Sequence, residues 1–408
     1  MPERGPVGFG RREAPAEPAG KDSAPPFPAG ATKLDDDIAA SLIPERSPRG
    51  HKGSFGKLLV IAGSLDYAGA ALLVCRAAGR AGVGLVTLAI PESLQPLFAA
   101  KIVEATTMAL PEDDVEEVDP EPAMSRILDH EHDALVVGPG LRPGLATTEL
   151  VRSLLPTAGE ADSAPIVLDA EALRSMATID HWWDIGDRRA AVLTPHPGEF
   201  ARLRAGSGNT PADDGDLVDD DEARLAAAKH AAETWSTVVV LKGARTIVAA
   251  PDGTAAIAPF ENPALATGGT GDVLAGTVGS LLAQGLPAFD AARLGVYLHG
   301  LAGDAVRDRF GDAGLLASDL PDSLAVARKR LAGIAERRSA SKRLGFTLGG
   351  HGGSGTAPGP SVVPGEPGGP DGPAAPDSPE PTIVPEEPPG PDVAPAERPA
   401  AQPPDDVH

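Results

Sequence analysis

Short apolar runs closed by glycine or turn residues alternate with helical stretches through most of this chain. Lys57-Leu-Leu-Val-Ile-Ala-Gly63 reads as a buried strand, Ala71 to Ala81 as an Ala-rich helix, and Gly84-Leu-Val-Thr-Leu-Ala-Ile90 as a second strand. Such a β-α-β unit implies parallel strands and a right-handed crossover. Further strands are predicted at Ala134–Gly138, Pro165–Asp169, Ala191–Thr194, Thr237–Leu241 and Thr246–Ala250, with helices over Thr147–Leu155, Pro197–Leu203 and Asp221–Thr234. The alternation predicts an α/β fold, a doubly wound, mostly parallel sheet flanked by helices. Gly243-Ala-Arg245 between the last two strands and Pro251-Asp-Gly253 after them form a hairpin-type signal, so that end of the sheet is expected to be an antiparallel edge. Two apolar helices, Val273–Ala283 and Ala288–Arg307, close the body; Tyr297 and His299 in the second read as helix-packing residues.

Composition limits the globular part. Residues 351–408 hold 17 of the 43 prolines and no aromatic side chain. Such a stretch buries too little apolar surface to offset chain entropy, and a disordered tail is expected over 349–408. Residues 1–34, with seven prolines among the first 30, are expected to be a disordered leader, leaving one domain over 35–348. The formal net charge is −23, with 10 acidic and 1 basic side chains in 351–408. That balance argues against nucleic acid or an anionic membrane as partner, and a phosphate ligand would need local amides, a few cations and metal. The single Cys75 excludes an internal disulfide, and there is neither a Cys/His metal cluster nor an apolar run of membrane length. The expected location is cytoplasmic.

In open α/β sheets ligands gather at the carboxyl ends of the strands. The exits here carry Gly138-Pro-Gly140, Asp169-Ala-Glu171, Pro195-His-Pro-Gly-Glu199 and Lys242-Gly243, and then the glycine-rich turn of Asn262-Pro-Ala-Leu-Ala-Thr-Gly-Gly-Thr-Gly-Asp272. Gly268, Gly269 and Gly271 before a helix let backbone amides approach a phosphate, which the positive end of the helix favours. Asp272 reads either as a proton acceptor for a substrate hydroxyl or as an N-cap. Asp169 reads either as a magnesium-side carboxylate or as a helix cap. Pro197 can open a helix with Glu199 in its first turn, beside a His196 stiffened by flanking prolines. Gly63-x5-Gly69 matches neither nucleotide-binding glycine fingerprint. Trp182-Trp183 and the acidic stretch Asp213–Glu222 read as packing or surface features.

Lys52-Gly-Ser-Phe-Gly56, Ala62-Gly-Ser64, Tyr67-Ala-Gly-Ala70, Gly138-Pro-Gly140, Leu168-Asp-Ala170, Leu193-Thr-Pro-His-Pro-Gly-Glu-Phe200, Val240-Leu-Lys-Gly243 and Asn262 through Leu274 occur in that order. Together they resemble the ADP/ATP-dependent NAD(P)H-hydrate dehydratase family, a ribokinase-like fold, over about residues 35–345. The resemblance implies repair of NADH and NADPH hydrated at C6 of the nicotinamide ring, with ADP or ATP as co-substrate and Mg²⁺ as cofactor; ADP is the expected nucleotide. It implies hydrate contacts at Ala70, Gly138, Gly140, His196 and Asp272, with Asp272 as the catalytic base. It implies nucleotide contacts at Lys242, Gly243, Ala244, Arg245 and Thr246, and at Gly269, Thr270 and Gly271; it names no residue as a metal ligand. Many members have Gly-Met where this chain has Ala264-Leu265. The resemblance also implies a homo-oligomer, a homotetramer, and a separate epimerase acting on the same substrate, because the leader is too short for that domain. The rival readings are a ribokinase-like kinase of a hydroxymethyl-pyrimidine or thiazole alcohol, and a non-catalytic binding module.

Overall fold

A computed structural model describes residues 26–115, 117–156, 164–186, 188–206 and 220–343. The leader up to residue 25, the tail and the part of the acidic stretch up to residue 219 lie outside the described residues.

Among the described residues twelve strands are formed: β1 (Thr32–Lys33), β2 (Lys57–Ile61), β3 (Leu85–Pro91), β4 (Thr106–Leu110), β5 (Glu112–Asp114), β6 (Glu117–Val118), β7 (Ala134–Val137), β8 (Ile166–Leu168), β9 (Ala191–Leu193), β10 (Val238–Leu241), β11 (Ile247–Ala249) and β12 (Ala255–Ile257). Ten build one sheet in the order β1-β12-β11-β10-β9-β8-β7-β2-β3-β4, while β5 and β6 pair as a separate ribbon. From β10 to β4 every pairing is parallel; β11 runs antiparallel to both of its neighbours, β10 and β12. The doubly wound, mostly parallel reading therefore holds. So does the antiparallel turn at Gly243-Ala-Arg245, but that end is not the edge, because β12 follows and β1 pairs in parallel outside it. This moves the start of the ordered body ahead of Asp35: Thr32 and Lys33 bond into the sheet, Leu34 is buried, and Phe27 packs on the core. Neither β1 nor β12 reaches four residues, too short to stand out as an apolar run.

Alternation along the strands separates two apolar layers. Leu58 and Val60 of β2 join Ala134 and Val136 of β7 on one face; Leu59, Ile61, Leu135 and Val137 join the other. The first face is covered by helices Ala68–Ala81, Thr270–Ala283, Ala288–Phe310 and Leu320–Arg343, the second by helices that include Glu171–Met176 and Asp221–Trp235. Strands covered on both faces are apolar at every position, which is why they read as continuous runs. On the second face Trp182 is buried against Trp235, ring centroids 5.5 Å apart, so the Trp-Trp pair belongs to packing.

Helix Thr270–Ala283 is buried almost throughout. Every residue from Val273 to Ala283 is buried, in a segment whose small residues let its neighbours approach closely. A Cβ on Gly276 would lie 2.3 Å from the Val74 carbonyl oxygen, and one on Gly279 would lie 2.2 Å from Val136 Cγ2 on the sheet. Glycine costs helix stability, but here it allows backbone-to-backbone and backbone-to-sheet contact. Its buried hydroxyls are all paired: Thr277 donates to the Val273 carbonyl at 2.7 Å, and Ser280 accepts from the Val83 N–H at 3.1 Å. Gly279→Ala is expected to lower unfolding free energy by about 1–3 kcal/mol through overpacking, read as a lower urea midpoint at unchanged slope.

Candidate functional site

The sheet reverses its strand order between β2 and β7, and the loops leaving their carboxyl ends meet there: the Gly63 N–H donates to the Pro139 carbonyl at 2.9 Å. Gly138 has φ +119°, and a Cβ on it would fall 1.9 Å from the Asp169 carbonyl oxygen. On Gly140 a Cβ would fall 2.8 Å from Ala70 Cβ. Three of the sequence-predicted substrate positions, Ala70, Gly138 and Gly140, thus share one wall, which runs into Asp169.

Beside that wall sits a charged cluster around Lys242. Its ammonium donates to Asp169 Oδ1 at 2.9 Å and lies 3.8 Å from Glu199 Oε2. Burial works against the Lys242 charge, but the carboxylates of Asp169, Glu199 and Asp272 outweigh it and the pKa is raised. Glu199 also holds its neighbour: Oε2 accepts from the His196 N–H at 2.9 Å, and Oε1 lies 3.5 Å from His196 Nε2. The Gly198 N–H donates to His196 Nδ1 at 3.1 Å, so the neutral ring carries its proton on Nε2, toward Glu199. Burial, followed by the cations Lys242 and Arg202, lowers the His196 pKa and keeps the ring neutral.

Asp272 joins this cluster from the first turn of helix Thr270–Ala283. The N-cap is Gly269 in the left-handed region at φ +91°, so the capping reading of Asp272 fails and its carboxylate is left facing the charged corner. A Cβ on the next residue back, Gly271, would lie 3.3 Å from Lys242 Nζ and 3.8 Å from Asp169 Oδ2. A side chain at 271 would be tight against the ammonium and in ordinary contact with the carboxylate, so the start of the helix lies directly beside both charges. Burial first, then the Asp169 charge, raise the Asp272 pKa to about 7 against the opposing pull of Lys242.

A cavity of about 650 Å³ opens next to this corner. Of the sequence-predicted nucleotide residues, Lys242, Gly243, Ala244, Thr246, Thr270 and Gly271 line it, and so does His196. Gly269 does not; it lies under the turn, where a Cβ would meet Leu73 and Ala317. Arg245 requires a correction as a side-chain contact. Its guanidinium is buried, pairs with Glu261 and with Asp221 at 3.3 Å, and lies over the Phe27 ring at 4.5 Å. Arg224 holds the same loop from beneath. Fully buried and paired with Asp221 at 2.8 Å, it donates to the carbonyls of Ala244 at 2.6 Å and of Leu241 and Lys242 at 3.5 Å.

Sequence reasoning did not assign Glu199 a place in the cluster, although its spacing in Pro195-His-Pro-Gly-Glu199 puts it one turn from His196. It also read His299 as packing, whereas His299 lines the cavity and bonds the Thr270 carbonyl at 2.9 Å through Nε2. No sequence signal marked Phe260 or Leu265, which form apolar wall. Among the described residues no group of three or more His, Cys, Asp or Glu side chains forms a metal cage.

Comparison with known proteins identifies the family. Residues 58–325 match the profile of the NAD(P)H-hydrate dehydratase family. A bifunctional NAD(P)H-hydrate repair enzyme Nnr from Moorella thermoacetica is 43% identical over 294 residues, covering 71% of this chain and 52% of that protein. An ADP-dependent (S)-NAD(P)H-hydrate dehydratase from Neisseria meningitidis serogroup B is 36% identical, covering 70% of this chain and 89% of that protein. The crystal structure of the ADP/ATP-dependent NAD(P)H-hydrate dehydratase from Bacillus subtilis, co-crystallised with ATP and Mg²⁺, matches with a TM-score of 0.62 and 31% identity over 74% of this chain and 100% of that one. The chain spans about half the length of the bifunctional relatives, 52% and 54% for the first two. With the profile match running from β2 through the charged corner and the Thr270–Ala283 helix, the chain belongs to the NAD(P)H-hydrate dehydratase family.

Proposed function

We propose that this protein returns the C6 hydrates of NADH and NADPH to the reduced coenzymes while converting ADP to AMP and phosphate. The observation that carries this reading is a half-buried carboxyl group, Asp272, with a pKa raised to about 7, at the amino end of an enclosed helix and beside a nucleotide-sized cavity. A base of that pKa is half-ionised near neutrality and suited to take a proton from an alcohol. In the proposed reaction Asp272 accepts the C6 hydroxyl proton as that oxygen attacks the terminal phosphoryl of ADP, displacing AMP. The amides of Gly269, Thr270 and Gly271 at the helix start, with the Lys242 ammonium, stabilise the charge on the transferred group. The ring-nitrogen lone pair then expels phosphate by breaking the C6–O bond, and loss of the C5 proton restores the double bond. Ala70, Gly138, Gly140 and His196 border the hydrate on the opposite wall.

Mg²⁺ fits this corner as a partner of the nucleotide phosphates: Asp169 and Glu199 offer carboxylate oxygens without a complete protein cage, the pattern that suits this ion. When bound it would neutralise phosphate charge. The rival reading as a vitamin-alcohol kinase gives no role to His196 held by Glu199, and the family match does not favour it.

The test is recovery of reduced-nicotinamide absorbance from hydrated NADH, run with ADP and with ATP side by side; phosphoester formation on a vitamin alcohol without that recovery would overturn the reading. Asp272→Asn is expected to cut turnover by about 10²–10⁴-fold while retaining ADP binding, measured by calorimetry. Because the base must be ionised, kcat/KM is expected to rise with pH through an apparent pKa of about 7. Asp169→Asn removes a charge that raises that value, so the acidic limb should move to lower pH; a limb that stays put would exclude the Asp169–Asp272 coupling.

A further inference from the structure

The cavity wall contains a neutral ring acceptor that the reaction does not use. His299 donates from Nε2 to the Thr270 carbonyl oxygen at 2.9 Å. A carbonyl only accepts, so the proton must sit on Nε2 and Nδ1 must carry the lone pair. Burial pushes the ring pKa down to about 4, so it stays in this neutral tautomer at physiological pH. Nδ1 has no protein partner among the described residues, and His299 lines the cavity together with Val296 and Gly300 from the same face of helix Ala288–Phe310.

The other neutral polar side chains on that wall are already oriented by bonds to the protein. Asn262 accepts from the Ala264 N–H at 3.0 Å and donates to Asp304 at 3.0 Å. The hydroxyls of Thr246, Thr267 and Thr270 donate back to backbone carbonyls of Gly243, Ala264 and Leu265. Lys242 and His196 belong to the charged corner, and Glu261 is paired with Arg245. Around His299 the wall is apolar, built from Ala258, Phe260, Leu265, Leu274 and Val296, a slot suited to a flat aromatic base.

We propose that His299 is the specificity-determining residue for the nucleotide base, its Nδ1 accepting a hydrogen bond from an exocyclic amino group of a 6-aminopurine held in the apolar slot. The proposal rests on the nucleotide reading of the cavity given above. A 6-oxopurine presents an oxygen at the same place, setting lone pair against lone pair and leaving both unpaired.

The test is calorimetric binding of ADP and inosine diphosphate to the full chain and to His299→Phe. The unmodified protein is expected to favour ADP by about 10- to 100-fold, the effect of one buried hydrogen bond made or left unpaired. The Phe variant is expected to lose most of that preference. A role confined to supporting Thr270 would weaken both nucleotides together and leave the ratio unchanged, and that result overturns the proposal. No binding of either nucleotide by the unmodified protein would overturn the nucleotide reading, and the proposal with it. Should His299→Phe fail to fold, nitrogen NMR of the imidazole in the unmodified protein decides: ADP is expected to shift Nδ1 away from its lone-pair resonance and inosine diphosphate to leave it, and an Nδ1 unmoved by ADP overturns the proposal.

Discussion

A helix that is apolar all round must be enclosed all round, and the Thr270–Ala283 segment imposes that requirement on its neighbours. Helix Ala68–Ala81 and strand β7 approach it closely because Gly276 and Gly279 present no side chain to them. Its Ser280 hydroxyl ties the Val83 backbone, so the turn after helix Ala68–Ala81 is fixed by the same element. Clamped along its length, the helix cannot fray at its start without disturbing the core on that face of the sheet. The amides of its first turn and Asp272 are therefore presented in one fixed position, the condition under which fixed dipoles act strongly on a developing charge.

Electrostatic imbalance is the second organising feature. Asp169, Glu199 and Asp272 share the single ammonium of Lys242 within a partly buried space. One ammonium in contact does not compensate three carboxylates, and the excess falls on Asp272, whose pKa burial and the Asp169 charge raise, and on Glu199, whose pKa burial raises against Lys242 and the more distant Arg202. A cluster short of positive charge is matched to ligands that bring cations with them or that give up protons there.

Much of this was legible in the sequence. Strands buried on both faces leave continuous apolar runs, and β2, β3, β7, β8, β9, β10 and β11 all fall within the predicted runs or one residue from them. Glycines at a strand exit marked Gly138 and Gly140, where any side chain would strike Asp169 or Ala70. What was not legible depended on tertiary contact. The two-residue β1 is held by β12 and by Phe27 beneath Arg245, and neither carries a local signal. Arg245 follows a predicted strand exit, yet its positive φ of 51° and its buried carboxylate partners turn the guanidinium away from the cavity. His299 lies on a helix whose apolar spacing gives no hint that one face borders a void.

Arg224 is a buried cation set beneath the loop that follows β10. By gripping the carbonyls of Leu241, Lys242 and Ala244 from the interior, it fixes the backbone that follows β10 before any ligand arrives. A loop so held has little freedom left to surrender on association, so the entropic penalty that flexible phosphate-binding loops incur is already met at folding. A ligand entering there would meet a wall already set, and its binding enthalpy would report contacts made at that wall rather than a rearrangement of the chain.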